Sequence, residues 1–128
     1  MKAPSKKRKK DMDKLWADVI KARAGYMSEI SLQEGILAGH HIFGKPNLVL
    51  RYDIRNGICL LNHSEHIYGV HNKNDLIKRT YYEDEIRALR ESDYFALEQL
   101  YHVTSPQFDW DAKEKELRVL LVKYNGLI

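Results

Sequence analysis

The chain has a single cysteine, Cys59, and only three prolines in 128 residues. One thiol cannot close an intramolecular disulfide, and it excludes a four-cysteine zinc knuckle as well. No apolar run approaches the ~20 residues needed to span a bilayer, because Lys, Arg, His or Asp interrupts the longest stretches. The basic start lacks the apolar core of a secretory signal, so export is not expected and a reducing cytoplasm is the expected compartment. What is present is an ordinary globular mixture, 44% hydrophobic and 30% charged. That balance excludes collagen-like, low-complexity and wholly disordered chains. The length suits one small domain with tails, and no repeat or linker marks a second.

Charge is unevenly placed. Lys2, Lys6, Lys7, Arg8, Lys9 and Lys10 fall within residues 1–10, which hold no acid. The rest of the chain carries 15 basic and 18 acidic side chains, so the net charge of +3 is a basic arm on a slightly acidic body. The cluster beside Pro4 and Ser5 predicts a disordered arm over residues 1–10. Such an arm suits salt-dependent, sequence-blind contact with nucleic-acid phosphates; a solubilising terminus is the plainer use of the same charges.

Over residues 11–24, Met12, Leu15, Trp16, Val19 and Ile20 form one apolar stripe at helical spacing, with Gly25 where a C-cap is wanted. Residues 26–35 read as irregular, and 36–42 as a short strand. Gly44, Pro46 and Asn47 predict a loop, followed by a second extended stretch. Asn56-Gly57 is a turn signal, with a strand leaving it from Ile58 to Leu61. A short helix is expected from His63 to His71. Two or three helices follow up to His102, and Thr104-Ser105-Pro106 ends that region. A last helix starts at an Asp111/Glu114 capping box and closes at Gly126.

Five of the six histidines, His40, His41, His63, His66 and His71, lie within 32 residues, a window with only two carboxylates, Asp53 and Glu65. Neutral imidazole is the commonest transition-metal ligand, so this density points to a metal site. On a regular helix His66 and His71 would lie about 140° apart. A one-residue irregularity near Gly69 would bring them together, whereas His63 and His66 share a face without one. Likewise, a regular strand throws His40 and His41 to opposite faces. Both serve one site only if the strand ends or bulges there, and Gly39 and Gly44 make such a distortion inexpensive.

The runs Gly39-His40-His41-Ile42-Phe43-Gly44 and Arg51-Tyr52-Asp53-Ile54-Arg55-Asn56-Gly57-Ile58-Cys59-Leu60, then His66 with His71, resemble an HNH endonuclease of the phage type. Asn56 follows His41 by fifteen residues, and His66 follows Asn56 by ten. The arrangement is also similar to the His-rich nuclease domains of colicins. The resemblance spans roughly residues 11–125, including the leading helix and a Trp, here Trp110, before the last helix. It implies an α+β fold: a ββα-metal (His-Me finger) core over about 36–72, flanked by α-helices, with a helical tail over 74–126 in a single domain of residues 11–128. It implies hydrolysis of DNA phosphodiester bonds with one divalent ion (Mg, Mn, Ni or Zn) and no membrane partner. His41 matches the general base, His40 the first metal ligand, His66 the final one and His71 a further one, for which His63 is the alternative. Asn56 matches the residue that braces the turn and orients the base. Arg51 and Arg55, flanking the loop that would face the phosphate, are expected to contact substrate.

These residue types suit the reaction. Phosphodiester hydrolysis places charge on the phosphoryl oxygens and the leaving alkoxide, which a cation stabilises, while a His near neutral pKa suits proton abstraction. Three imidazoles favour zinc, nickel or manganese over magnesium.

The chain departs from many phage relatives in lacking two C-x-x-C pairs that hold a structural zinc. Met27 and Ile30 stand at the first pair, and Leu61 to Glu65 contain no Cys. No structural zinc is expected; apolar packing of Met27 and Ile30 is expected in its place. Cys59 reads as a small buried residue and His102 as ordinary. The competing reading is a non-catalytic metal- or DNA-binding module derived from such a finger; a helical protein with coincidental histidines is a third.

Overall fold

The computed structural model describes residues 5–103 and 108–127. The fold is α+β and mostly helical. Helix α1 spans Lys6–Arg23, strand β1 Leu37–His41, a single helical turn α2 Leu48–Arg51, a 3-10 turn Ile54–Asn56, and strand β2 Gly57–Leu61. A π-helix over Asn62–Val70 leads to α3 (Leu76–Leu89), α4 (Glu91–Tyr101) and α5 (Trp110–Asn125). No helix among the described residues is long and apolar enough to cross a membrane.

Helix α1 begins earlier than the apolar stripe alone suggests. Ser5 caps it, its Oγ accepting from the Arg8 amide at 3.1 Å. Lys7 pairs with Asp11 one turn on, and Arg8 reaches Asp111 on α5 at 2.6 Å. Residues 6–10 of the expected disordered arm are therefore helical; residues 1–4 lie outside the described residues. At the other end Gly25 takes φ +66°. Its amide bonds to Ala22 O at 3.0 Å and that of Tyr26 to Lys21 O at 2.9 Å, the paired Schellman closure.

β1 and β2 pair antiparallel in unbroken register, Gly39 opposite Cys59 and His40 opposite Ile58. Two strands alone are marginal in water; here both faces are covered. Alternation sends Gly39, His41, Gly57 and Cys59 towards α1, where Met12, Leu15, Trp16, Val19, Ile20, Cys59 and Leu117 of α5 make one core. It sends His40, Ile58 and Leu60 to the other face, where Ile58 and Leu60 pack with Val70 and with Ile86 of α3. Helix α1 lies so close to the sheet that a Cβ on Gly57 would meet Trp16 Cζ2 at 2.7 Å, and one on Gly39 would meet the Ala17 backbone at 3.2 Å. Gly39 thus admits a helix and does not distort the strand.

The connection between the strands differs from the expected extended stretch and tight Asn-Gly turn. Asn47 Oδ1 caps α2 by accepting from Leu50 N at 2.8 Å, and Asp53 Oδ1 caps the 3-10 turn through Arg55 N at 2.8 Å. Short Asx-capped turns carry too little periodicity to be read from sequence. The expected capping box also shifts: Asp109 caps α5, its Oδ1 accepting from Ala112 N at 3.0 Å, and Asp111 lies in the first turn. Thr104-Ser105-Pro106 lies outside the described residues.

Around Met27 and Ile30 the loop is held by polar groups as well as packing. Ile30 rests against the second core. Ser28 Oγ donates to Oε1 of the buried Glu65 at 2.6 Å, and that carboxylate oxygen also accepts from Leu61 N at 2.7 Å. Glu29 accepts from Cys59 N at 2.7 Å and pairs with Arg90. The apolar packing expected here is thus joined by a hydrogen-bonded clamp.

Gly57 is extended (φ −122°), so Ala is allowed there by the backbone and opposed only by Trp16 and Ile20. Gly57→Ala is expected to destabilise the fold by about 1–3 kcal/mol in urea unfolding, the usual effect of overpacking. Unchanged stability would mean that α1 does not need this close approach.

Candidate metal centre

His40 projects from the covered face of β1 towards the π-helix. There His71 N donates to His66 O at 3.0 Å. This i→i+5 bond widens the helical turn and lays His71 over His66, the rotation that a regular helix denies to residues five apart. Gly69 lets α3 approach this turn, since a Cβ there would meet the Tyr82 ring at 2.8 Å.

The three imidazoles of His40, His66 and His71 offer nitrogens all within 4.8 Å of one another. Nε2 of His66 and Nε2 of His71 are 3.1 Å apart. Two nitrogens on one tetrahedral zinc, each bonded at ~2.0–2.1 Å, would stand roughly 3.3–3.4 Å apart. The His66–His71 pair thus has nearly the spacing of two ligands on one ion, and with His40 it forms a candidate divalent-metal site. Burial, then the neighbouring imidazoles, push His40 down to about 3, and burial followed by His71 also lowers His66. Both are neutral at pH 7, as ligands must be. Among the described residues the buried His66 Nδ1 has no hydrogen-bond partner. His63 is exposed and lines a separate recess with Ile36 and Leu61. The cluster contains His71 and not His63.

His41, the last residue of β1, faces α1. Its ring stacks on Trp16 with centroids 3.9 Å apart and planes 5° from parallel. Its Nε2 lies 2.9 Å from Arg51 O. A carbonyl only accepts, so Nε2 carries the proton and the lone pair of the neutral ring is on Nδ1. Burial lowers His41 to about 4, below the near-neutral range expected of a general base, with Lys45 and Arg51 adding to the shift and the Arg51 carbonyl opposing it. The strand is regular, so it is its end and not a bulge that lets both histidines serve one place. Two cavities, of about 460 and 380 Å³, share His40, His41, Gly44 and His71 as walls.

Asn56 is fully buried and ties the loop over the site. Its Oδ1 accepts from Phe43 N at 2.8 Å, and its Nδ2 donates to Gly44 O at 3.1 Å and Leu50 O at 3.0 Å. It fixes the segment whose Arg51 carbonyl holds His41.

Arg51 and Arg55, expected to contact substrate, are each paired with a carboxylate. Arg51 forms a two-point pair with Asp13, Nε to Oδ1 at 2.9 Å and Nη2 to Oδ2 at 2.5 Å. Burial pushes the Asp13 carboxyl up, but hydrogen bonds from Arg51 and Tyr52 outweigh it and hold Asp13 below its ordinary range. Arg55 pairs with Asp53 at 2.7 Å. Neither lines the two cavities. Lys45, on one, and Arg87, on the other, do. Arg87 went unread in the sequence because i→i+4 neighbours such as Glu83 make a helical Arg look like surface charge.

Asn56→Ala leaves Phe43 N and Gly44 O without their recorded partner and removes one of the donors to Leu50 O. The expected loss is on the order of 2–3 kcal/mol, with faster hydrogen exchange confined to residues 42–56. Exchange unchanged in that loop would show that it holds itself.

No family model, curated protein or solved structure matches this chain.

Proposed function

We propose that this chain is a metal-dependent endonuclease that hydrolyses DNA phosphodiester bonds, with β1, β2 and the π-helix acting as a ββα-metal finger of the HNH kind. The observation that carries this reading is the meeting of His40, His66 and His71 beside a fourth imidazole, His41, that stays out of the cluster. The ring of His41 is held in one tautomer by the Arg51 carbonyl and in one plane by the Trp16 indole, as a positioned proton acceptor would be.

His40, His66 and His71 would hold the ion. When bound, it supplies positive charge to the phosphate oxygens and the leaving alkoxide. His41 Nδ1 takes the proton of the attacking water, and Arg51 O stabilises the imidazolium through Nε2–H. Trp16 prevents the ring from turning away. Asn56 acts one step removed, as a positioning residue. Lys45 and the basic first turns of α1 supply sequence-independent attraction for the DNA backbone. An all-nitrogen donor set favours zinc, nickel or manganese over magnesium.

Supercoiled plasmid incubated with the protein and each of Mg, Mn, Ni and Zn tests this reading. The wild type is expected to nick or linearise it with at least one ion. His41→Ala is expected to lose roughly 10²–10⁴-fold in rate while keeping the wild-type unfolding curve. Cleavage by His41→Ala at the wild-type rate would contradict the mechanism. Plasmid bound but never cut would replace it with the binding-module reading.

A further inference from the structure

The chain has eight arginines. Seven of them, Arg8, Arg23, Arg51, Arg55, Arg79, Arg90 and Arg118, make ion pairs with carboxylates. Among the described residues Arg87 alone has no such pair within 4.0 Å. It lines the larger cavity with His40, His41 and His71. Its guanidinium lies 4.9 Å from the centroid of the Tyr94 ring. Tyr94 in turn packs on Phe43, with ring centroids 4.8 Å apart. Phe43 is the residue whose amide is held by Asn56. A fixed aromatic surface thus supports Arg87 on one side and leaves its N–H groups for a ligand in the cavity.

Two acidic residues share that wall, Glu83 and Asp84. Glu83 is engaged by Arg79 at 3.8 Å. Neither carboxylate belongs to the histidine cluster. A guanidinium held on a ring, without a carboxylate and beside imidazole nitrogens, has the donor geometry for a phosphate oxyanion, which Arg binds through two parallel N–H groups.

We propose that Arg87 grips a backbone phosphate of the DNA strand, in place of the paired Arg51 and Arg55. This deepens the nuclease reading and rests on it for the identity of the strand. Lys45, on the adjoining cavity, gives the strand a second cation, so the backbone crosses His40 and His41 between the two.

The test uses the full chain, a fluorescein-labelled oligonucleotide, inorganic phosphate as competitor, and Co(II) absorption as a separate readout of the three histidines. Arg87→Ala is expected to weaken oligonucleotide binding roughly ten- to a hundredfold and to abolish competition by phosphate. The Co(II) spectrum is expected to stay unchanged. Arg87→Lys should recover part of the affinity, because it keeps the charge and loses the two-point contact. Arg87→Ala binding as tightly as wild type would overturn the proposal, as would a loss of binding that tracks a loss of Co(II). If the wild type cuts no DNA with any ion, the nuclease reading falls alone, and an Arg87-dependent loss of oligonucleotide and phosphate binding would still support the anion contact.

Discussion

The hydrogen bond from His71 N to His66 O is the interaction on which the candidate site depends. It closes a five-residue turn, and only that turn sets two imidazoles with Nε2 atoms 3.1 Å apart. An ordinary helix over the same residues would aim one of them away and leave His40 with a single companion. The wider turn is a rare, less favourable backbone, found mostly as single-turn insertions and frequently at functional sites. The structure around it supplies compensation. Val70 is buried against Ile58, Leu60 and Ile86, Glu65 is tied to Ser28 and Leu61 N, and Gly69 lets the Tyr82 ring close over the turn.

Two glycines do comparable service on the opposite face. Gly39 and Gly57 remove the side chains that would hold α1 off the sheet, and Trp16 comes down to stack on His41. The same indole donates through Nε1 to Asp53 O at 3.2 Å. Trp16 therefore joins core, loop and candidate base in one contact network. The two-stranded sheet is a divider: one face carries the three clustered imidazoles, the other carries the fourth, and the end of β1 is where they meet.

Much of this was legible in residue order. The apolar stripe of α1 and the helical tail follow from periodicity, because burial on one face imposes it; a strand over 36–42, one residue longer at each end than β1, and the strand after Gly57 follow from the turn residues around them. The pairing of His66 with His71 was legible only as a condition, since a π turn has no compositional mark of its own beyond the small residue at 69. Short elements were not legible. Residues 48–56 turn through Asx caps from Asn47 and Asp53, which look the same in sequence as loop residues. Nor were charge partners. Arg51 finds Asp13 from 38 positions away and Arg8 finds Asp111 from 103, and such pairs leave no trace in local spacing. The arginine facing the cavity is instead Arg87, which stands out only after every other guanidinium is seen to be occupied.

As proposed, His40, His66 and His71 hold one divalent cation. A Co(II) titration followed by its visible d–d absorption tests it most directly. One equivalent is expected to bind, with the intense bands of a four-coordinate nitrogen-rich site, and His66→Ala or His71→Ala should each abolish them. Binding that survives both substitutions, or no saturable binding at all, would contradict the account.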